Sequence, residues 1–354
     1  MTKAALALPG DIATVTGGFI YDRRLYEELA AAGRDMRLIR LPDSFPFPSE
    51  DEMQRALAQL QDLPASCPVI IDGLAFGALT PSGVAQIAAP IVALVHHPLA
   101  LESGLPEAEQ KHLFQTEREN LRFAAQVLVP SPHIKTVLVA QYDVPEDLIH
   151  VARPGIAQPV HAEKTDDAHV RPPLILSVGI LHPRKGHDVL IKALQMIADL
   201  EWRATIVGTP WEDGYDAVLQ EQIKQAGLAT RVYLAGRVTD AELARLYGQA
   251  HLFALATRYE GYGIVFNEAL VHGLPIISCQ TGAVPDTVPS GAGLLVARDD
   301  PSAFAEALRR VLTDPQRHSA MADAAASSGK KLLGWADTAR IAGHALDLAA
   351  GHVR

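Results

Sequence analysis

Cysteine is nearly absent: Cys67 and Cys279 are the only two in 354 residues, and they stand far apart. Two distant thiols make no disulfide framework, so a reducing compartment is the expected setting, and neither sits in a metal-ligand spacing. Long apolar runs are missing as well. No stretch reaches the ~18 apolar residues that a membrane-crossing helix needs. Met1 to Leu8 lacks the basic region and extended apolar core of a signal peptide, and it reads as a first strand. A cytoplasmic protein is expected, with a peripheral contact at the inner face of a membrane left open. Positive charge is in deficit, 31 Lys and Arg against 41 Asp and Glu for a net charge of -10, and no long basic run occurs. That balance argues against a nucleic-acid partner. The Gly-x-Gly-x-x-Gly fingerprint is absent after the first strand, which disfavours a two-domain dehydrogenase.

What is present is ordinary globular material, 48% apolar and 20% charged, in a chain long enough for about two domains. Apolar runs at 4–8, 36–41, 69–71, 91–95, 126–129 and 149–151 alternate with helical patterns at 18–32, 50–61, 81–88, 106–123 and 132–141. Alternation of this kind is the signature of parallel sheets covered on both faces. A polar stretch, His161 to Pro173, ends in a Pro-Pro pair and reads as a linker. A second series of runs follows at 174–180, 204–207, 232–235, 252–256, 275–278 and 294–297. The expected class is α/β, two doubly wound, Rossmann-like parallel-sheet domains facing a deep interdomain cleft. Their bounds are 1–160 and 174–334 around the linker 161–173, and a helix at 335–354 is expected to cross back to the first domain.

Chemistry-bearing residues gather at strand ends. Glu260-Gly261-Tyr262-Gly263-Ile264-Val265-Phe266-Asn267-Glu268 places two carboxylates about a glycine-rich turn that opens a helix ending near Gly273. Helix starts at the carboxyl ends of strands are anion sites in open α/β sheets. Small Gly261 and Gly263 would spare a phosphate any clash on its way to the backbone. A carboxylate accepts from two neighbouring hydroxyls, so one can hold a ribose diol and the other a sugar ring. Each glutamate taken singly also reads as a partner for the helix dipole. Arg184 and Lys185 sit in the loop after the 174–180 strand, a planar fork beside a compact charge suited to a pyrophosphate. In the first domain, Gly17 and Gly18 open the first helix, where a phosphate contact and a plain tight turn are both open readings. His96 and His97 end the 91–95 strand; zinc is disfavoured there, since adjacent residues point apart and no spaced third ligand is evident. The 111–123 helix, with Lys111, Arg118 and Arg122 offset by Glu109, Glu117 and Glu119, reads as a solvated amphipathic face.

These motifs resemble those of the retaining GT-B-fold glycosyltransferases of the large fourth sequence family (glycosyl transferases group 1). Glu260 and Glu268 resemble its paired-glutamate motif, and Gly261-Tyr262-Gly263-Ile264 stands where the family usually has Gly-Phe-Gly-Leu. Ser177-Val178-Gly179 with Lys185-Gly186, Gly236-Arg237-Val238, Gly282-Ala283-Val284-Pro285-Asp286 and Gly293-Leu294-Leu295 also match. The first domain matches more weakly, through Gly17-Gly18, His96, Val129-Pro130-Ser131 and Arg153-Pro154-Gly155. One departure stands out: the family often has Arg directly after the Val-Gly pair, where this chain has Ile180, so Arg184 is the expected replacement. The resemblance implies a retaining hexosyltransferase that needs no metal or other cofactor and takes a UDP- or GDP-linked sugar as donor. The expected acceptor is a glycan, a lipid or a small polyol. It implies His96, Glu260, Arg184 and Lys185 as the catalytic set. Gly17, Gly18, Arg237, Val238, Gly261, Tyr262, Gly263, Ile264, Val265 and Glu268 are implied as donor contacts. A two-lobed binding protein that closes on a ligand without reacting it is the alternative reading.

Overall fold

The computed structural model describes residues 3–14, 16–102, 104–158 and 171–351. Most of the expected linker, 161–170, and Val15 before the Gly17-Gly18 pair therefore lie outside the described residues. The chain divides into two compact units, Met1–Gly155 with Leu333–Arg354, and Ile156–Leu332.

In the first unit the elements run β1 (Lys3–Pro9), α1 (Gly17–Ala31), β2 (Asp35–Leu41), α2 (Glu50–Gln61), β3 (Val69–Asp72), α3 (Gly73–Phe76) and α4 (Pro81–Val84). They continue with β4 (Ile91–Leu94), α5 (Glu107–Leu121), β5 (Gln126–Val129), α6 (Pro132–Tyr142) and β6 (Ile149–Val151). All pairings are parallel, in the order β2-β1-β3-β4-β5-β6. The order reverses between β1 and β3, so the loops leaving those strands part to opposite faces and open a crevice at the sheet's carboxyl edge. Strands β3, β4 and β5 are buried at every position, as expected of a parallel sheet covered on both faces.

The second unit runs β7 (Leu174–Val178), α7 (His187–Met196), β8 (Arg203–Val207), α8 (Tyr215–Gln225), β9 (Val232–Gly236), α9 (Asp240–Gln249) and β10 (Leu252–Leu255). It is completed by α10 (Ile264–Val271), β11 (Ile276–Cys279), α11 (Val284–Thr287), β12 (Gly293–Val296), α12 (Pro301–Thr313) and α13 (Pro315–Gly329). Strand order is β12-β11-β10-β7-β8-β9, again all parallel, with the reversal between β7 and β10. Two apolar clusters cover its sheet faces, one around Trp202, Leu194 and Phe304, the other around Phe253, Phe266 and Leu270.

The last helix, α14 (Trp335–Gly351), packs in the first unit. Ala339, Ala342, Ala345, Leu346 and Ala349 are buried in one cluster with Leu25 and Leu29 of α1. Their three- and four-residue spacing puts them on one stripe, and small side chains let the two helices approach closely. Arg34 fastens the contact by donating to Gly343 O at 2.8 Å and to the Asp347 carboxylate at 2.6 Å.

Candidate functional site

In the second unit the site forms where β7 and β10 diverge. After β7 the chain makes one turn of 3-10 helix at Pro183–Lys185, closed by His182, whose Nδ1 accepts the Arg184 N–H at 3.0 Å. Gly186 then takes φ +65° with its backbone so close to Ala256 O that an added Cβ would lie 1.9 Å from that oxygen. Only glycine satisfies both demands. The close approach carries Lys185 to the exit of β10, and there Lys185 Nζ meets Glu260 Oε1 at 2.7 Å. Thr257 Oγ1 donates to the same oxygen at 2.9 Å, while Arg184 Nη1 lies 4.0 Å from Oε2 and donates to Tyr259 O at 3.2 Å.

The three charged side chains are largely covered, at 14% exposure for Arg184, 12% for Lys185 and 5% for Glu260. Burial alone would push the Glu260 carboxyl up, but the neighbouring Lys185 and Arg184 charges hold it below the usual range. Glu260 is therefore ionised, with Lys185 and Arg184 both set against its carboxylate. Sequence reasoning missed Arg258, which braces the loop from beneath. It makes a two-pronged pair with Asp188 at 2.9 and 3.0 Å, a 2.6 Å bond to Asp299 and a further bond to Pro183 O. Its N–H donates to Arg184 O at 2.7 Å. The available signal was a third arginine two residues before Glu260.

Glu268, on α10, has a separate partner: the Tyr247 hydroxyl donates to Oε2 at 2.6 Å. Burial raises the Glu268 carboxyl, with the Tyr247 bond pulling the other way. Gly263 is the N-terminal cap of α10 at φ +86°, and an added Cβ would meet the Phe266 ring at 2.6 Å. Backbone conformation and that ring account for its size, a different reason from the phosphate approach expected from sequence. Tyr262 is buried, its hydroxyl accepting from Asn267 at 2.8 Å. Ile264 and Val265, half-buried, open α10, and Val265 packs on the adjoining core. Arg237 is exposed just past β9, beside Val238, which packs on the same core. Next to Ile180, where an arginine was missing, Gly179 faces the Lys185 side chain, 3.4 Å separating its would-be Cβ from Lys185 Cδ.

The first unit gathers a second cluster. His96, one residue past Val95 at the end of β4, turns its Nε2 to Asp22 of α1 at 3.0 Å and to Asp72 at the end of β3 at 3.4 Å. Gly18 faces the same ring, 3.4 Å separating its would-be Cβ from His96 Cδ2, whereas Gly17 faces open space. Burial would lower the His96 pKa, but the Asp22 charge and bonds from both carboxylates raise it to about 10. Burial, with the Asp72 charge, raises Asp22 against the pull of His96. His97 turns away, to Glu102 at 3.1 Å. The two aspartates were not anticipated from sequence, where no spaced further ligand was evident beside His96 and His97, and the fold brings both to His96.

Residues 162–328 match the model of the family described as Glycosyl transferases group 1. Through this region the chain is similar to that family. A curated relative from Paenarthrobacter aurescens (strain TC1), a D-inositol 3-phosphate glycosyltransferase, is 30% identical over 69% of this chain and 62% of its own length. The chain thus spans about three fifths of the curated relatives it matches. Two solved structures share the architecture over nearly the whole chain. The sucrose-phosphate synthase of Thermosynechococcus elongatus has a TM-score of 0.77 at 21% identity, with 97% of this chain and 98% of that one covered. The Anabaena protein HepE, solved with UDP and glucose, has a TM-score of 0.73 at 17% identity, with 97% and 99% covered. At these identities the likeness is one of fold, which is GT-B, two doubly wound parallel sheets.

Proposed function

We propose that the protein transfers a hexose from a nucleoside diphosphate sugar, UDP- or GDP-linked, to a glycan, lipid or small polyol, with retention of configuration. The observation that carries this reading is the cluster of Arg184, Lys185 and ionised Glu260, two basic side chains and a carboxylate held at the strand-order reversal of the second sheet. A departing nucleoside diphosphate develops negative charge. Fixed cations and backbone N–H groups stabilise it without reorganising, while the sugar passes through an oxocarbenium-like state. On this reading Arg184 and Lys185 take the diphosphate in place of a metal. Glu260 accepts sugar hydroxyls and Glu268 the ribose diol, and His96 is the first unit's member of the catalytic set. Arg237 and Tyr262 shape the base pocket, and the acceptor attacks from the leaving-group face. The similarity to a D-inositol 3-phosphate glycosyltransferase and to a protein solved with UDP and glucose supports the donor class.

Melting shifts test the donor class cheaply, because a ligand at ~100 times its Kd adds about 2.7 kcal/mol of stability. UDP or GDP should raise the melting temperature of the wild type and fail to do so in Lys185→Ala. A rise with NAD and none with either nucleotide would refute the reading.

A further inference from the structure

We propose that Asp22 and Asp72 are positioning residues for His96, a two-carboxylate clamp that takes its Nε2–H and leaves Nδ1 as the ring's ligand-facing atom, suited to a sugar. The inference deepens the glycosyltransferase reading and rests on it for the identity of the ligand.

Three elements make the clamp, α1, the end of β3 and the turn after β4, and they converge where the strand order of the first sheet reverses. Both carboxylates address one nitrogen, and a carboxylate only accepts, so Nε2 carries the hydrogen. Each acid is itself fixed. Asp72 uses Oδ1 to accept the Leu74 N–H at 3.0 Å and keeps Oδ2 for the ring. Asp22 lies in the covered stripe of α1 with Tyr21, Leu25 and Leu29. The remaining sides of the imidazole are filled by Gly18 and by Tyr21, whose ring meets it edge-on at 5.1 Å while its hydroxyl is tied to Ala152 O at 2.8 Å. With Nε2 engaged and the side chain 20% exposed, Nδ1 has no hydrogen-bond partner among the described residues.

The charge pattern adds to the geometry. Asp22 and Asp72, exposed by 1% and 2%, are the charged groups facing the ring, since His97 is turned to Glu102. Two buried acids so close together repel each other unless a cation lies between them. A doubly protonated imidazole supplies that cation and makes Nδ1–H a donor, suited to a sugar hydroxyl or to an oxygen gaining negative charge. Held this way, the ring offers a fixed donor with no reorganisation at the moment of transfer.

Histidine ring nitrogen signals in the 15N-histidine-labelled full chain test the clamp directly, with His96→Gln identifying the resonance among the 14 histidines. Both His96 nitrogens should be protonated at pH 8 in the wild type. In Asp22→Asn and Asp72→Asn, protonation should fall back toward the ordinary histidine range. Turnover of nucleotide sugars should drop by about 10- to 100-fold in kcat in those variants, with KM changed far less and activity newly lost above neutral pH. Asp22→Glu should recover part of the loss. The proposal is overturned by a wild-type His96 that titrates in the ordinary range, or by Asn variants with the parent's kcat and pH profile. The three donor atoms lie within 4.8 Å of one another, a spacing that a divalent cation also fits. Stoichiometric zinc binding by calorimetry that shifts the His96 signal and vanishes in Asp72→Asn would likewise overturn the clamp. The ring signals need no variant to fold and no substrate to be turned over. A wild type that turns over no nucleotide sugar but keeps the doubly protonated signature refutes the glycosyltransferase reading and leaves the clamp standing.

Discussion

Glu117 shows what a single buried carboxyl does to this protein. It lies on α5 with no exposure, accepts the Leu99 N–H at 3.0 Å, and burial pushes its pKa up to about 8. Above the ordinary value of 4.5 the unfolded chain releases this proton while the folded protein keeps it. Stability from this group is therefore complete below about pH 4.5 and declines as the pH climbs toward 8. Glu117→Gln keeps a neutral acceptor for Leu99 and removes the proton linkage. Its unfolding free energy should match the wild type near pH 4.5 and exceed it increasingly toward pH 8, by up to on the order of 4 kcal/mol, with the melting temperature rising in step. Parallel melting profiles across that range would contradict a neutral Glu117. At the same scale, the Asp22 and Asp72 clamp was partly legible. A carboxylate ending an apolar strand, and another at the i, i+3, i+7 stripe of α1 with Leu25 and Leu29, are each out of place in a core face. What no periodicity supplies is that the two meet at His96, because that depends on the order of β1, β3 and β4 in the sheet.

Among elements, the strands were readable to within a residue or two. The run 91–95 is β4 at Ile91–Leu94, and 149–151 is β6 at Ile149–Val151. The run 174–180 overshoots β7, which ends at Val178 because Gly179 and Ile180 already belong to the loop that turns toward Lys185. The four-residue helices α3 and α11 left no readable period, being shorter than two turns. The expected helix at 81–88 stops at Val84. Gly186 shows how an element boundary governs the site. Gly186→Ala should cost about 2–4 kcal/mol, from the positive φ and the clash with Ala256 O, and should abolish stabilisation by UDP or GDP. Gly214→Ala is its control, since φ is +87° there but nothing lies within 4 Å of the added Cβ. Its cost should be about 1–2 kcal/mol, with nucleotide stabilisation intact. Equal losses in the two variants, read by denaturant melts, would remove the claim that this close approach shapes the loop.

For the molecule as a whole, α14 completes the first unit rather than the second. Leu346 has no exposed surface in that core, so Leu346→Ala should cost about 2–5 kcal/mol. Hydrogen exchange should quicken in β1, α1 and β5 while β7, β8 and β10 keep their protection. Uniform loss across both sheets would show that the units do not unfold separately. Net charge of -10 adds no affinity for a diphosphate at long range, so any such affinity has to come from close contacts. The family motifs were legible because they sit on consecutive residues at strand ends. Arg258 and Tyr247, which hold those motifs in place, were not, because only the folded second sheet sets them against Arg184 and Glu268. The central claim is that the Lys185–Glu260 pair acts on a nucleotide sugar. Turnover of a panel of UDP- and GDP-sugars by the wild type, by Lys185→Ala and by Glu260→Gln tests it most directly. The account predicts nucleoside diphosphate release from at least one donor and a loss of about 100-fold or more in both variants, whereas near-normal turnover in both would contradict it.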